Sequence, residues 1–126
     1  MVLGSLRMRI VSIFFYVFLF SSVSSGAWSE YLVIKDKNAF ITAVKDKTLK
    51  RPLIRLEVTE DGKIIGRAAM LSVTGQWTWE NSYFCRDLFW GSRNLGYNCQ
   101  QVSRSGKKIR FTSDKGEGDF ADFTVK

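Results

Sequence analysis

Gly116-Glu-Gly118-Asp-Phe-Ala121 spells the G-x-G-x-x-G/A pattern with which a strand–turn–helix cradles a dinucleotide pyrophosphate. That chemistry needs a strand before the glycines, a helix after them and an acid further on, whereas only five residues follow Ala121. The glycines therefore read as a flexible hairpin and imply no nucleotide cofactor. Paired carboxylates are the next candidates, but Glu80, Asp87, Asp114, Glu117 and Asp119 stand in turns or beside lysine and arginine, the setting of solvated charges. Histidine is absent altogether. Its absence removes Ser-His-Asp and Cys-His nucleophiles, imidazole acid–base catalysis and ordinary zinc sites. No catalytic residue, metal-ligand set or cofactor follows from the sequence, and the expectation is a binding domain rather than an enzyme.

Two groups of side chains could bind. Trp77, Trp79, Tyr83, Phe84, Phe89, Trp90 and Tyr97 make the middle of the chain dense in aromatics. These residues either fill the core of a small β domain or line a ligand pocket or partner surface. Trp77 and Trp79 share one face of their strand, which favours core; Phe84, Leu88 and Trp90 oppose Tyr83, Cys85 and Phe89, leaving apolar surface for a partner. Basic residues collect as Lys45, Lys47, Lys50, Arg51 and Arg55, and again as Arg104, Lys107, Lys108 and Arg110. Such clusters can suit an anionic envelope surface, lipid headgroups or acidic polysaccharide, although an ordinary solvated basic face is the commoner explanation.

The compartment follows from the amino terminus. Arg7 and Arg9 precede the apolar run Ile10–Phe20, and small residues end at Ser25-Gly26-Ala27, the three parts of a cleaved secretory leader. The run is shorter than the ~20 residues that span a bilayer, so no membrane anchor is expected after cleavage. The expected division is a signal peptide over residues 1–27 and a single β domain over 28–126, periplasmic or secreted, with nucleic acid disfavoured as a partner by that location. Removing Arg7 and Arg9 takes the basic count from 19 to 17 against 12 acids, so the processed chain stays basic at +5. In an oxidising compartment Cys85 and Cys99 allow one intramolecular disulfide; a reactive thiol pair or an intermolecular link lacks supporting context, since the spacing is not Cys-x-x-Cys.

Asp36 to Lys47 has Ala39, Phe40, Ala43 and Val44 at helical spacing, with Asp36 or Asn38 available as cap. After Pro52 the period becomes two. Strands are expected at 54–58, 64–71, 73–79, 83–90, 97–102, 108–112 and 120–125, joined by hairpin-length turns. The fold class is thus mostly β, an antiparallel meander of about seven strands closing into a small barrel or sandwich, with one short N-terminal helix.

The spacing of Gly75-Gln-Trp77-Thr-Trp79, Tyr83-Phe-Cys85-Arg86, Tyr97-Asn-Cys99-Gln100, Ile109-Arg-Phe111 and Asp114-Lys-Gly-Glu-Gly118-Asp119 resembles a family of small exported bacterial β-domain proteins. Some members of that family bear the name dihydrodipicolinate reductase. The resemblance implies an exported, disulfide-bonded β domain and no residue-level activity. The true reductase is a larger cytosolic NAD(P)H enzyme with a Rossmann domain and a histidine-containing site, none of which this sequence has. Two further functional classes stay open at this point: a small-molecule binder, and a protein–protein module such as an inhibitor of a cell-wall hydrolase. A lysozyme-type target fits the second poorly, because a +5 inhibitor would be repelled by a basic enzyme.

Overall fold

The computed structural model describes residues 30–126, so the expected leader lies outside the described residues. In chain order the elements are β1 (Leu32–Ile34), α1 (Lys37–Val44), β2 (Leu49–Arg51), β3 (Ile54–Val58), β4 (Lys63–Ala68), β5 (Leu71–Glu80), β6 (Tyr83–Trp90), β7 (Arg93–Ser105), β8 (Lys108–Thr112), α2 (Ser113–Gly116) and β9 (Phe120–Val125). Strands β2 to β9 pair each with the next, all antiparallel, and β9 returns to β2, so the eight-stranded meander closes as a barrel. Strand β1 is an addition, lying on β7 at Val102–Arg104 beyond the stretch that β6 uses. Among the described residues no helix is long and apolar enough to cross a membrane.

Alternation places the core. Val73, Trp77, Phe84, Val102, Ile109, Phe111, Phe123 and Val125 point inward and are buried, while their sequence neighbours face out. Helix α1 starts where the Asp36 carboxylate accepts the Ala39 N–H at 3.1 Å, and it turns Phe40, Ala43 and Val44 into the barrel end formed by the β3–β4, β5–β6 and β7–β8 turns. Phe40 is wholly buried, stacked on Trp79 at 5.0 Å and edge-on to Trp77 at 5.3 Å, with Phe84 at 5.1 Å. The helix is a plug.

Closing so small a sheet demands sharp coiling between β3, β4 and β5. Gly66 permits it: a β-carbon there would lie 2.0 Å from the Arg55 carbonyl oxygen. The last join is narrow, with two residue pairs between β2 and β9 against eight between β5 and β6. Reciprocal backbone bonds between Thr48 and Lys126 extend it at the plugged end.

The seven expected strands are all present, but 64–71 is not one strand. The chain reverses at Ala69 and Met70, both with left-handed φ (45° and 74°), so β4 ends at Ala68 and β5 begins at Leu71. β1 and β2, three residues each, were not expected. Cys85 and Cys99 are directly opposed on the outer face of β6 and β7 and are joined as the expected disulfide.

A charged cluster pins β1 to the barrel. Arg110 on β8 donates through Nε and Nη2 to both Asp122 oxygens (2.7 and 3.0 Å) while its guanidinium lies between the Tyr31 ring at 3.9 Å and the Phe120 ring at 4.0 Å. Hydrogen bonding from Arg110 holds the Asp122 carboxyl below its ordinary value, with burial opposing. A depressed folded-state value means that the stabilisation is present above the unfolded pKa, near 4, and is lost as pH falls through the folded value. Asp122→Asn should therefore lower stability at neutral pH by roughly 1 kcal/mol. The difference from the parent should shrink progressively below about pH 4 in urea titrations; a difference independent of pH would contradict this account.

Candidate functional site

Within the barrel, beneath the aromatic layer around Phe40, lies a cavity of about 170 Å³. Leu49, Leu56, Val58, Ile64, Phe84, Leu88, Phe111, Ala121 and Phe123 make its wall almost entirely apolar. Two polar side chains reach it, Arg86 and Gln100. Both are there for the same reason: Phe84, Arg86 and Leu88 alternate onto the inner face of β6, and Gln100 opposes Phe84 from β7.

Arg86 Nη1 donates to the Gly96 carbonyl at 2.7 Å, just past the irregularity where Leu88 pairs with Gly96 and Phe89 with Asn94. Among the described residues no carboxylate pairs with it, since the ion pairs are Lys45–Glu60, Lys63–Asp61 and Arg110–Asp122. Burial pushes the guanidinium below its ordinary value, and Asp87, on the outer face of the same strand, works in the opposite sense. It stays protonated, because arginine does not lose its proton in proteins. A half-buried guanidinium with donors beyond its Gly96 contact, beside an apolar wall, has the chemistry to pair with an anionic group. Gln100 Nε2 donates to Ser113 Oγ at 3.3 Å and ties the wall to the β8–β9 connection.

Larger concavities exist but are solvated. One of about 390 Å³ lies outside the barrel between Lys45–Thr48 and Glu57–Glu60, where the Lys45–Glu60 pair at 3.1 Å already matches its charges. Glu80, Cys85 and Cys99 also come together, yet the two sulfurs are bonded to each other, which leaves one carboxylate and no metal-ligand set there.

The aromatic residues singled out in the sequence divide three ways. Trp77, Trp79 and Phe84 pack under the helix; Trp77 Nε1 donates to the Thr59 carbonyl at 2.8 Å and Trp79 Nε1 to the Lys35 carbonyl at 3.3 Å. Tyr83 and Tyr97 face outward, Tyr97 donating to Glu80 Oε2 at 3.0 Å. Trp90 stands at the far end, its Nε1 donating to the Ala68 carbonyl at 2.8 Å. Of these, only Phe84 lines the cavity.

The late basic residues are spread along the β7–β8 hairpin. Arg104 bonds the Gly106 carbonyl, Lys108 donates to Thr124 Oγ1 at 2.8 Å, Arg110 is held by Asp122, and Lys107 projects from the turn. Arg86 itself was missed. Its signal was present in the alternation, as the lone charge on the Phe84, Leu88 and Trp90 face. Comparison with protein-family models, with curated proteins and with solved structures gives no match to this chain.

Proposed function

We propose that this chain is an exported, disulfide-bonded β-barrel that binds a small amphipathic organic anion, with the acidic head on Arg86 and the apolar body against Leu56, Leu88, Phe111 and Phe123. The observation that carries this reading is the unpaired Arg86 guanidinium inside an apolar cavity. A volume of about 170 Å³ suits a body the size of one aromatic ring or a short alkyl chain, because an apolar cavity near 150 Å³ holds benzene. Among the described residues that line the cavity Arg86 alone is ionisable, so the arrangement provides a cation to hold an anion and, among those residues, no carboxylate to act as general base beside it. Export is supported by the leader-like amino terminus and by the disulfide, a bond that oxidising compartments favour.

Benzoate and hexanoate are the probes. At a hundredfold excess over the dissociation constant, either should stabilise the barrel by about 2.7 kcal/mol in thermal unfolding, whereas benzamide and hexanol, which lack the charge, should not. Arg86→Gln should abolish the carboxylate effect while leaving the ligand-free melting temperature within a few degrees. Stabilisation by the neutral isosteres, or by carboxylates in the Arg86→Gln protein, would sink the assignment.

A further inference from the structure

The outer face of β2, β3 and β4 carries charge in an arrangement that folding alone disfavours. Lys50 pairs directly with Arg55, and Arg55 directly with Arg67, so three cations stand side by side across three neighbouring strands. Like charges directly opposite one another destabilise a sheet. Their repulsion is not offset by acids, since among the described residues none of the three is in an ion pair. The row continues through Thr124, opposite Lys50, to Lys108, opposite Thr124. On β2, β3 and β4 the nearest acid is Glu57, one outward position further along β3 and away from the turn.

At the turn end of this strip two large apolar side chains are held out into water. Leu53 is 81% exposed and Met70 86% exposed. Both occupy left-handed backbone (φ 65° and 74°), a conformation in which glycine or asparagine sits more easily than a bulky residue. The two tips form one unit: the Ala69 N–H donates to the Leu53 carbonyl at 3.0 Å, and Arg67 Nη2 donates to the Met70 carbonyl at 2.8 Å. Lys50, Arg51, Arg55 and Arg67 share a groove with Leu53.

We propose that this strip, with the Leu53 and Met70 tips, is a docking surface for an anionic phospholipid bilayer. Cations beside protruding apolar groups match a membrane interface, where headgroups take the charges and the acyl boundary takes the tips. A linear polyanion would use the cations and give the exposed Leu53 and Met70 nothing to enter. This surface is separate from the Arg86 cavity and stands whether or not that cavity binds an anion.

Cosedimentation of the chain from Trp28 onward, which contains every described strand and helix, tests this. Vesicles of phosphatidylcholine containing about a quarter phosphatidylglycerol should bind it, and pure phosphatidylcholine should not. Lys50→Gln/Arg55→Gln/Arg67→Gln should weaken that binding roughly a hundredfold, at about fivefold per charge. Leu53→Gly/Met70→Gly should weaken it at least about tenfold. In both variants the melting temperature should hold or rise, because one loses like-charge repulsion and the other backbone strain. Equal binding to both vesicle types, no binding to the anionic ones, or binding that survives the triple glutamine variant would overturn the proposal. Binding that survives Leu53→Gly/Met70→Gly unchanged would also overturn it, by showing a surface for polyanions in general.

Discussion

Replacing Phe40 with alanine is expected to destabilise the fold by about 3–5 kcal/mol, a large share of the 5–15 kcal/mol that holds a domain together. Phe40 has no exposed surface and is the centre of the aromatic layer, in contact with Trp77, Trp79, Phe84 and Phe111. Those four partners come from β5, β6 and β8, strands already fixed by backbone pairing, so they cannot collapse into the space that the ring leaves. For a domain this small, a loss of that size lowers the melting temperature by roughly 20 °C. Phe40→Leu retains most of the volume and should cost about a third as much. Urea unfolding of the two variants measures the difference directly. A loss under about 1 kcal/mol for the alanine variant would mean that α1 is an ornament on the barrel and not its plug.

Removing the disulfide should come second, at about 3 kcal/mol. The bridge closes a loop of sequence separation 14 between β6 and β7, strands that already pair from Phe84–Gln100 to Trp90–Arg93. Because Cys85 and Cys99 face each other in register, the folded barrel changes little when the bond is absent, and most of the effect falls on the unfolded chain, which becomes freer. Cys85→Ala/Cys99→Ala should then show a lower urea midpoint together with a steeper dependence on urea, since its unfolded state exposes more surface. Coincident unfolding curves with and without the bridge would remove the disulfide from the list of stabilising features.

The sequence was most legible where a single physical signal acted alone. Val73, Gly75, Trp77 and Trp79 alternate cleanly with polar residues, and β5 follows them. Of the two cap candidates, Asp36 and Asn38, it is Asp36 that caps α1. The Ala69–Met70 reversal was hidden because neither residue favours left-handed backbone, so Ile64 to Leu71 read as unbroken. β1 and β2 were too short for a period of two to register, yet β2 is the strand that closes the barrel. Arg86 was passed over because a charge on an apolar face looks like an interruption until closure turns that face inward. The Gly116–Ala121 letters lack the context of a nucleotide-binding turn: α2 ends at Gly116, and β9, a strand, begins at Phe120 where that turn would need a helix.

The two pairs that join β2 to β9 bear on how the molecule moves. The joins from β3 round to β9 are ladders of five to eight residue pairs, whereas β2 is held by three pairs to β3 and two to β9. The narrower join can part by giving up Leu49–Val125, Lys50–Thr124 and the Thr48–Lys126 clasp. Subglobal opening should follow the least costly path, so the barrel behaves as a curled sheet fastened by a latch. Leu49, within the latch, and Phe123, beside it, are both wall residues of the cavity. Parting it would open the cavity wall from the side, with the helical plug left in place.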